Sequence, residues 1–178
     1  MFLGYQENNG VEFIASVANT REELENNPFV KYTSIEETKD EYKLVDGTYI
    51  TATEAFEKAK QDKRSEINAA RDAAEQGGFE YMGKVFDSDP ISCQRMACAS
   101  QAMSLLPITE EAPVITWTCQ DNSTIDLNAQ QLGGLIVALA TWSNTCHEKA
   151  TALKAQIDAA KTAEELEKIT WDDNLPTL

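Results

Sequence analysis

Asn128-Ala129-Gln130-Gln131-Leu132-Gly133-Gly134-Leu135-Ile136 opens the stretch whose reading decides the fold, because apolar residues then return at Leu139, Trp142, Cys146, Ala150, Leu153 and Ile157. Steps of three and four residues mark a helix with one buried stripe. Asn128 and Gln131 form a capping pair at its start, each side chain placed to satisfy the other's free backbone N–H. Thr162 with Glu165 is a second such pair, so the chain should break near residues 159–161 and restart as a short helix through Leu166 and Ile169. At 1.5 Å per residue the main helix is roughly 45 Å long, more than one small sheet can cover. Either the elements before it fold back along it or part of it meets another chain. Its C-terminal half, residues 150–160, has the fewest candidates to cover it and is the expected place for inter-chain contact. Gly133-Gly134 in the first turn implies close packing of a neighbouring backbone, since glycine inside a helix costs about 1 kcal/mol relative to alanine.

Working toward the N-terminus, Val114-Ile115-Thr116-Trp117-Thr118 and Thr124-Ile125-Asp126-Leu127 read as a hairpin about Asp121-Asn122. Before it, Asp89 is placed as N-cap and Pro90 as the first residue of a helix that Pro107 should end. Small residues on that helix (Ala97, Cys98, Ala99, Ser100, Ala102) would allow a neighbour to approach closely. Residues 79–86 give two short strands around Gly83. Thr51 and Glu54 cap a helix running to about residue 76, stopped by Gly77-Gly78. Charges lie nearly all round its middle, residues 57–66. It therefore reads as a water-exposed spacer supported by pairs such as Glu54 with Lys58 and Glu57 with Lys60.

The first fifty residues are strand-rich. Asn9-Gly10 and Asp46-Gly47 are hairpin turns. Thr20 and Glu23 cap a helix of little more than a turn, ended by Asn26-Asn27-Pro28. Residues 29–35 alternate like a strand. The expected class is α+β. Residues 1–52 form a small antiparallel β unit that is marginal alone and suited to docking, residues 53–63 a spacer, and residues 64–178 a mainly helical module with two hairpins.

Composition narrows the function. The 178 residues carry a net charge of -15, which argues against nucleic acid, where phosphate neutralisation needs clustered Lys and Arg. An anionic membrane would be repelled as well. No basic and apolar leader opens the chain and the longest apolar run is too short to span a bilayer, so folding in a cytoplasm with reduced cysteines is expected.

Chemical motifs are sparse. His147 is the sole histidine, and Thr151 stands where a zinc-protease helix needs its second one. Cys146 and His147 project about 100° apart and cannot hydrogen-bond directly. Cys93, Cys98, Cys119 and Cys146 lack a metal spacing and are expected as buried thiols. Asp87, Asp89, Asp121 and Asp126 form no calcium loop. No cofactor, metal or catalytic residue is expected. Tyr5, Tyr32, Tyr42 and Tyr49 cluster on the N-terminal strands, explained by half-buried sheet positions or, alternatively, by an exposed aromatic face for a partner.

Several blocks in order carry a resemblance. They are residues 63–72 (Lys63-Arg64-Ser65-Glu66-Ile67-Asn68-Ala69-Ala70-Arg71-Asp72), Gly78-Phe79, Phe86-Asp87-Ser88-Asp89, Trp117 with Asp121-Asn122 and Leu127, and residues 153–160. Together they resemble a domain of unknown function recurring in bacteriophage tail and tail-fibre proteins, over roughly residues 64–171. Glu22-Glu23-Leu24-Glu25-Asn26-Asn27-Pro28 and Ile35-Glu36-Glu37-Thr38 resemble other small phage proteins more weakly. The resemblance implies a protein of the virion tail, or of the host cytoplasm during assembly, with a phage tail or fibre protein as partner. Without a repetitive shaft, it implies an adaptor or assembly factor rather than a fibre. The spacer helix also permits homo-oligomers. A different class, host-surface glycan binding through Trp117, Asp121 and Asn122, is the alternative, and a polysaccharide hydrolase using Asp87, Asp89 or Asp121 ranks last.

Overall fold

Asn9 and Gly10 both take positive φ, 54° and 80°, so β1 (Phe2–Asn8) and β2 (Val11–Ala18) close as a tight antiparallel hairpin. The computed structural model that shows this describes residues 1–106 and 113–172. The chain divides into two compact units, Met1–Asp62 and Lys63–Leu178.

In the first unit, β3 (Ser34–Glu37) pairs with β1, giving a three-stranded sheet in the order β2-β1-β3. The short helix α1 (Arg21–Glu25) begins with the full capping box expected of Thr20 and Glu23. β4 (Tyr42–Val45) and β5 (Thr48–Thr51) form a second hairpin about Asp46-Gly47, again at positive φ. Leu3 and Leu24 are the buried apolar side chains of this unit. The expected strand over residues 29–35 exists only from Ser34. Upstream, the Thr33 N–H still donates to the Tyr5 carbonyl at 2.8 Å, and beyond it side chains take the place of a ladder. Asn27 Oδ1 accepts the Phe29 N–H at 2.9 Å and Gln6 Nε2 donates to the Lys31 carbonyl at 3.0 Å. The Tyr32 ring lies across Gly4, where a Cβ would meet its Cδ1 at 2.6 Å.

Helix α2 (Ala52–Gln76) starts with the Thr51 and Glu54 box, and Glu54 is therefore not the partner of Lys58. Lys58 instead pairs with Asp46 at 3.3 Å and Asp62 at 3.4 Å, while Glu57 and Lys60 do meet, at 3.7 Å. Nor is the middle exposed all round. Lys60 and Lys63 keep their aliphatic stems mostly buried, with the Lys60 ammonium 4.8 Å from the centre of the Phe56 ring. Long basic side chains have continued the buried side of the helix where apolar residues are missing.

The second unit is built on α4 (Ala129–Ala159), which opens on Asn128 and Gln131 as predicted. β6 (Phe79–Tyr81) and β7 (Lys84–Phe86) form one hairpin and β8 (Val114–Thr118) and β9 (Thr124–Asn128) another, with α3 (Pro90–Ser104) between them. Pro107 lies outside the described residues. Phe79, Phe86, Met96, Met103, Leu127, Leu132 and Leu135 join in the core. On α3 the larger Met96 and Met103 turn inward and, of the small residues, Ala99 packs against the core and Ser100 is half-buried, while Ala97, Cys98 and Ala102 are exposed. Cys119 and Cys146 are buried as expected; Cys98 is exposed and Cys93 half-buried.

The C-terminal half of α4 needs no second chain. Ala150, Ile157, Ala160, Leu166 and Ile169 are all buried, and so is Ile67 on α2. Arg64 on α2 pairs with Asp158. The short return helix α5 (Ala163–Glu167) is capped by Thr162, although Glu165 reaches back to the Lys161 N–H, at 2.7 Å, rather than to Thr162.

The glycine pair also differs from expectation. Space is open beside Gly133, and a Cβ on Gly134 would fall on the Tyr81 hydroxyl and 3.1 Å from its Cζ. The close neighbour is a side chain rather than a backbone. Gly133→Ala is therefore expected to stabilise the protein by about 1 kcal/mol, and Gly134→Ala to fall short of it by about 1–3 kcal/mol in urea unfolding. Tyr81→Phe should restore part of that difference.

Asp89 caps α3 by accepting the Ile91 and Ser92 N–H groups at 2.9 and 3.2 Å. Hydrogen bonds from Ser92, side chain and backbone, and from Ile91 hold its carboxyl below the usual carboxylate range. A depressed folded pKa contributes stability above the unfolded value, about 3.9, and the contribution disappears as pH falls through the folded value. Thermal melts should show Asp89→Ala lowering Tm at neutral pH, with the gap to wild type closing in acid. Asp89→Asn should keep the cap.

Candidate functional site

Two regions gather polar and aromatic side chains. One lies in the first unit, where Tyr42 and Tyr49 face a cleft of about 510 Å³ also lined by Val17, Asn19, Glu23 and Asn27. Tyr42 pairs across the hairpin with Thr51 and Tyr49 with Leu44, so alternation puts both rings on one face. Tyr5 lies on the inner strand of the three-stranded sheet. Its phenol pKa is raised by burial first and by Glu36, Tyr42 and Glu12 next. Tyr32 is outside the strands and its hydroxyl accepts from Asn27 Nδ2 at 3.2 Å. All four rings are half-buried, as sheet and loop packing requires. The strongly exposed apolar groups of this unit are others: Phe29 at 93%, Val11 at 67% and Phe13 at 44%, with Leu44. Phe29 carried no sequence signal, since it reads as a strand residue until Asn27 is seen to turn the chain.

The residues proposed for glycan binding separate. Trp117 is 7% exposed and belongs to the core, with the Arg95 guanidinium 5.3 Å from its ring centre. A buried indole cannot stack on a sugar. Asp121 and Asn122 lie exposed at the hairpin tip, where Asp121 accepts from Ser123 backbone and hydroxyl at 2.9 and 2.5 Å and pairs with Lys84 at 3.7 Å. Those Ser123 bonds hold its carboxyl low. Asn122 takes φ 61° because the turn requires it.

The other region, in the second unit, is a cleft of about 310 Å³ among Glu75, Ser88, Cys93, Leu139 and Ser143. The Ser143 hydroxyl donates to one oxygen of Glu75, and His147 Nε2 stands 3.4 Å from the other. The carboxylate thus separates serine from imidazole. A nucleophilic serine needs the imidazole next to it, with the carboxylate beyond. Cys93 is no better prepared: its Sγ donates to the Ser88 carbonyl at 3.3 Å, and burial, then Asp89 and Glu75, raise its pKa and keep it a thiol. The cluster joins α2, α3 and α4. No single stretch announces it, because its partners are 68 residues apart in Ser143 and Glu75. Among the described residues no group of three or more His, Cys, Asp or Glu is placed to hold a metal ion, and no helix is long and apolar enough to cross a membrane.

Ser88 is the hinge pin of this region. Buried, it donates to the Glu75 carbonyl at 2.6 Å and accepts the Gly78 N–H at 2.9 Å. Ser88→Ala leaves both backbone groups without that partner, and denaturant titration should show a loss of about 1–3 kcal/mol.

Comparison with curated proteins and with solved structures gave no match. A family model matches residues 58–171, which takes in the second unit from Lys63 through Trp171 and the core and polar cluster described above. The chain belongs to the DUF4376 family, a domain of unknown function.

Proposed function

We propose that the protein is a non-enzymatic adaptor or assembly factor of a bacteriophage tail, and that the first unit docks on a tail or fibre protein. The observation that carries the docking role is the uneven core. Among the described residues, sixteen buried apolar side chains belong to the second unit and two, Leu3 and Leu24, to residues 1–62. A unit of about 60 residues is marginal even with a full core. This one leaves Val11, Phe13, Phe29 and Leu44 in water, and covering a side chain of that size is worth about 1.5–3 kcal/mol. A partner surface supplies what the unit lacks.

The phage assignment rests on the resemblance of the ordered blocks in the second half. The family itself has no stated function, so it adds no activity. Glycan recognition loses its aromatic platform with Trp117 in the core, and the Ser143, Glu75 and His147 arrangement supports a structural role better than hydrolysis.

Mass spectrometry of purified particles from a phage carrying this gene should detect the chain if it is a virion component; absence would leave the assembly-factor form. Gene deletion that leaves fibres and infectivity intact would overturn the proposal. Phe29→Ser offers a finer check. Because the side chain is exposed, stability should move by no more than about 0.5 kcal/mol, while capture of the tail partner from infected cells should fall.

A further inference from the structure

We propose that the outer edge of β2 at Val11–Ile14 takes up a partner strand whose side chains alternate between basic and apolar. This rests on the reading of the first unit as the docking module and names the partner's chemistry.

The sheet order β2-β1-β3 leaves β2 at an edge. Its first three residues, Val11, Glu12 and Phe13, are exposed. An edge strand offers unpaired backbone groups to any strand that can lie beside it, and natural edges are blunted by lysine, proline or a bulge. Residues 11–14 contain no lysine or proline. The irregularity in the pairing falls later, where Gly4 faces Ser16 and Tyr5 faces Ile14.

The two-residue turn fixes which backbone groups are free. Asn8 and Val11 close the hairpin as a hydrogen-bonded pair, so the next pair, Glu7 and Glu12, is the non-hydrogen-bonded kind. The N–H and C=O of Glu12 therefore point outward from the sheet, followed by those of Ile14. A non-hydrogen-bonded pair also has the closer side chains, with Cα atoms about 4.5 Å apart. Two carboxylates directly opposite one another repel. The Ser34 hydroxyl donates to Glu12, at 3.5 Å. A Lys or Arg from an added strand would sit beside Glu12, with Glu7 one strand further in.

The other face is apolar. Val11 and Phe13 are two apart and share the face opposite Glu12. A partner strand running along this edge thus meets Val11 and Phe13 on one face and Glu12, followed by Ile14, on the other, which selects a basic residue opposite Glu12 between apolar ones. Charge argues against a second copy as occupant: residues 1–62 hold thirteen acidic and six basic residues, a net charge of -7, and self-pairing would bring further carboxylates to Glu12.

The test uses the full chain with three capped synthetic octapeptides at millimolar concentration, alternating Lys with Val, Glu with Val, and Lys with Ser. Hydrogen exchange should show the Glu12 and Ile14 amides gaining protection with the Lys–Val peptide, with affinity at least tenfold above both controls (about 1.4 kcal/mol or more) and falling with salt. Glu12→Gln and Glu7→Gln should each reduce the preference for Lys over Glu. Glu12→Pro, which removes the outward N–H, should abolish binding while far-UV circular dichroism stays unchanged. No protection at these amides with wild type, protection elsewhere, or equal binding of the Glu–Val peptide overturns the proposal. Protection that grows with protein concentration and needs no peptide overturns it in favour of self-association. If the tail partner binds but Glu12→Pro does not affect it, strand addition fails and the docking role stands.

Discussion

The second unit depends on the antiparallel registration of two helices. Arg64 with Asp158 and Glu75 with His147 are two cross-links between α2 and α4, and each pair of anchors is eleven residues apart on its own helix. Eleven residues is about three turns, roughly 16 Å on both sides, so one helix neither leads nor lags the other. Between the anchors Ile67 is fully buried from α2, and Ala150 and Ile157 from α4, with Cys146 buried just beyond His147. Solvent-exposed polar cross-links such as these contribute little energy singly. Their position matters more: they lie at the ends of an apolar seam whose burial holds the helices, and a slip by one turn would break both while exposing Ile67.

From that seam the rest of the unit follows. Ser88 ties the end of α2 to the start of the first hairpin by holding the Glu75 carbonyl and the Gly78 N–H. Gln120 then joins the two hairpins, its N–H donating to the Val85 carbonyl and its side chain to the Gly77 carbonyl. Gly78, at φ 106°, can make the turn from α2 into the first hairpin because it has no Cβ to strike the Gln120 amide, 2.9 Å away. Each contact uses a small polar side chain to finish backbone groups at an element's end, where regular structure runs out.

The features legible in the sequence are those whose chemistry is local. Thr20 with Glu23, Thr51 with Glu54 and Asn128 with Gln131 cap their helices within four residues, and Asn9-Gly10 and Asp46-Gly47 turn the chain on their own conformational preferences. Residues 29–33 misled because alternation reports which faces a strand would have, not whether a neighbouring strand is there to pair with it. The basic middle of α2 misled for the opposite reason: Lys60 and Lys63 look solvent-directed by type, yet their stems bury. The C-terminal half of α4 seemed short of cover because Ile67, Leu166 and Ile169 are distant in sequence. The cluster of Glu75, Ser88, Ser143 and His147 had no linear signature for the same reason. Of the aromatic residues considered for binding, Trp117 sits on a strand among Val114, Ile115 and Cys119 and belongs to the core.

On the docking proposal, the open edge of the first unit must also disfavour pairing with a second copy. An exposed edge with Val11 and Phe13 on one face is a hazard to a neutral protein. Here Glu7 and Glu12 stand on the other face of the same strands, within a unit of net charge -7. A second copy brings the same carboxylates, and at ionic strengths where the Debye length is about 8–10 Å their repulsion still acts across a newly formed strand pair. The arrangement that costs the isolated hairpin some stability thus disfavours pairing of like chains at this edge. A cationic strand reverses the sign of that interaction without any change in the fold. Recognition and protection against self-pairing then come from one pair of side chains, the first by attraction and the second by repulsion.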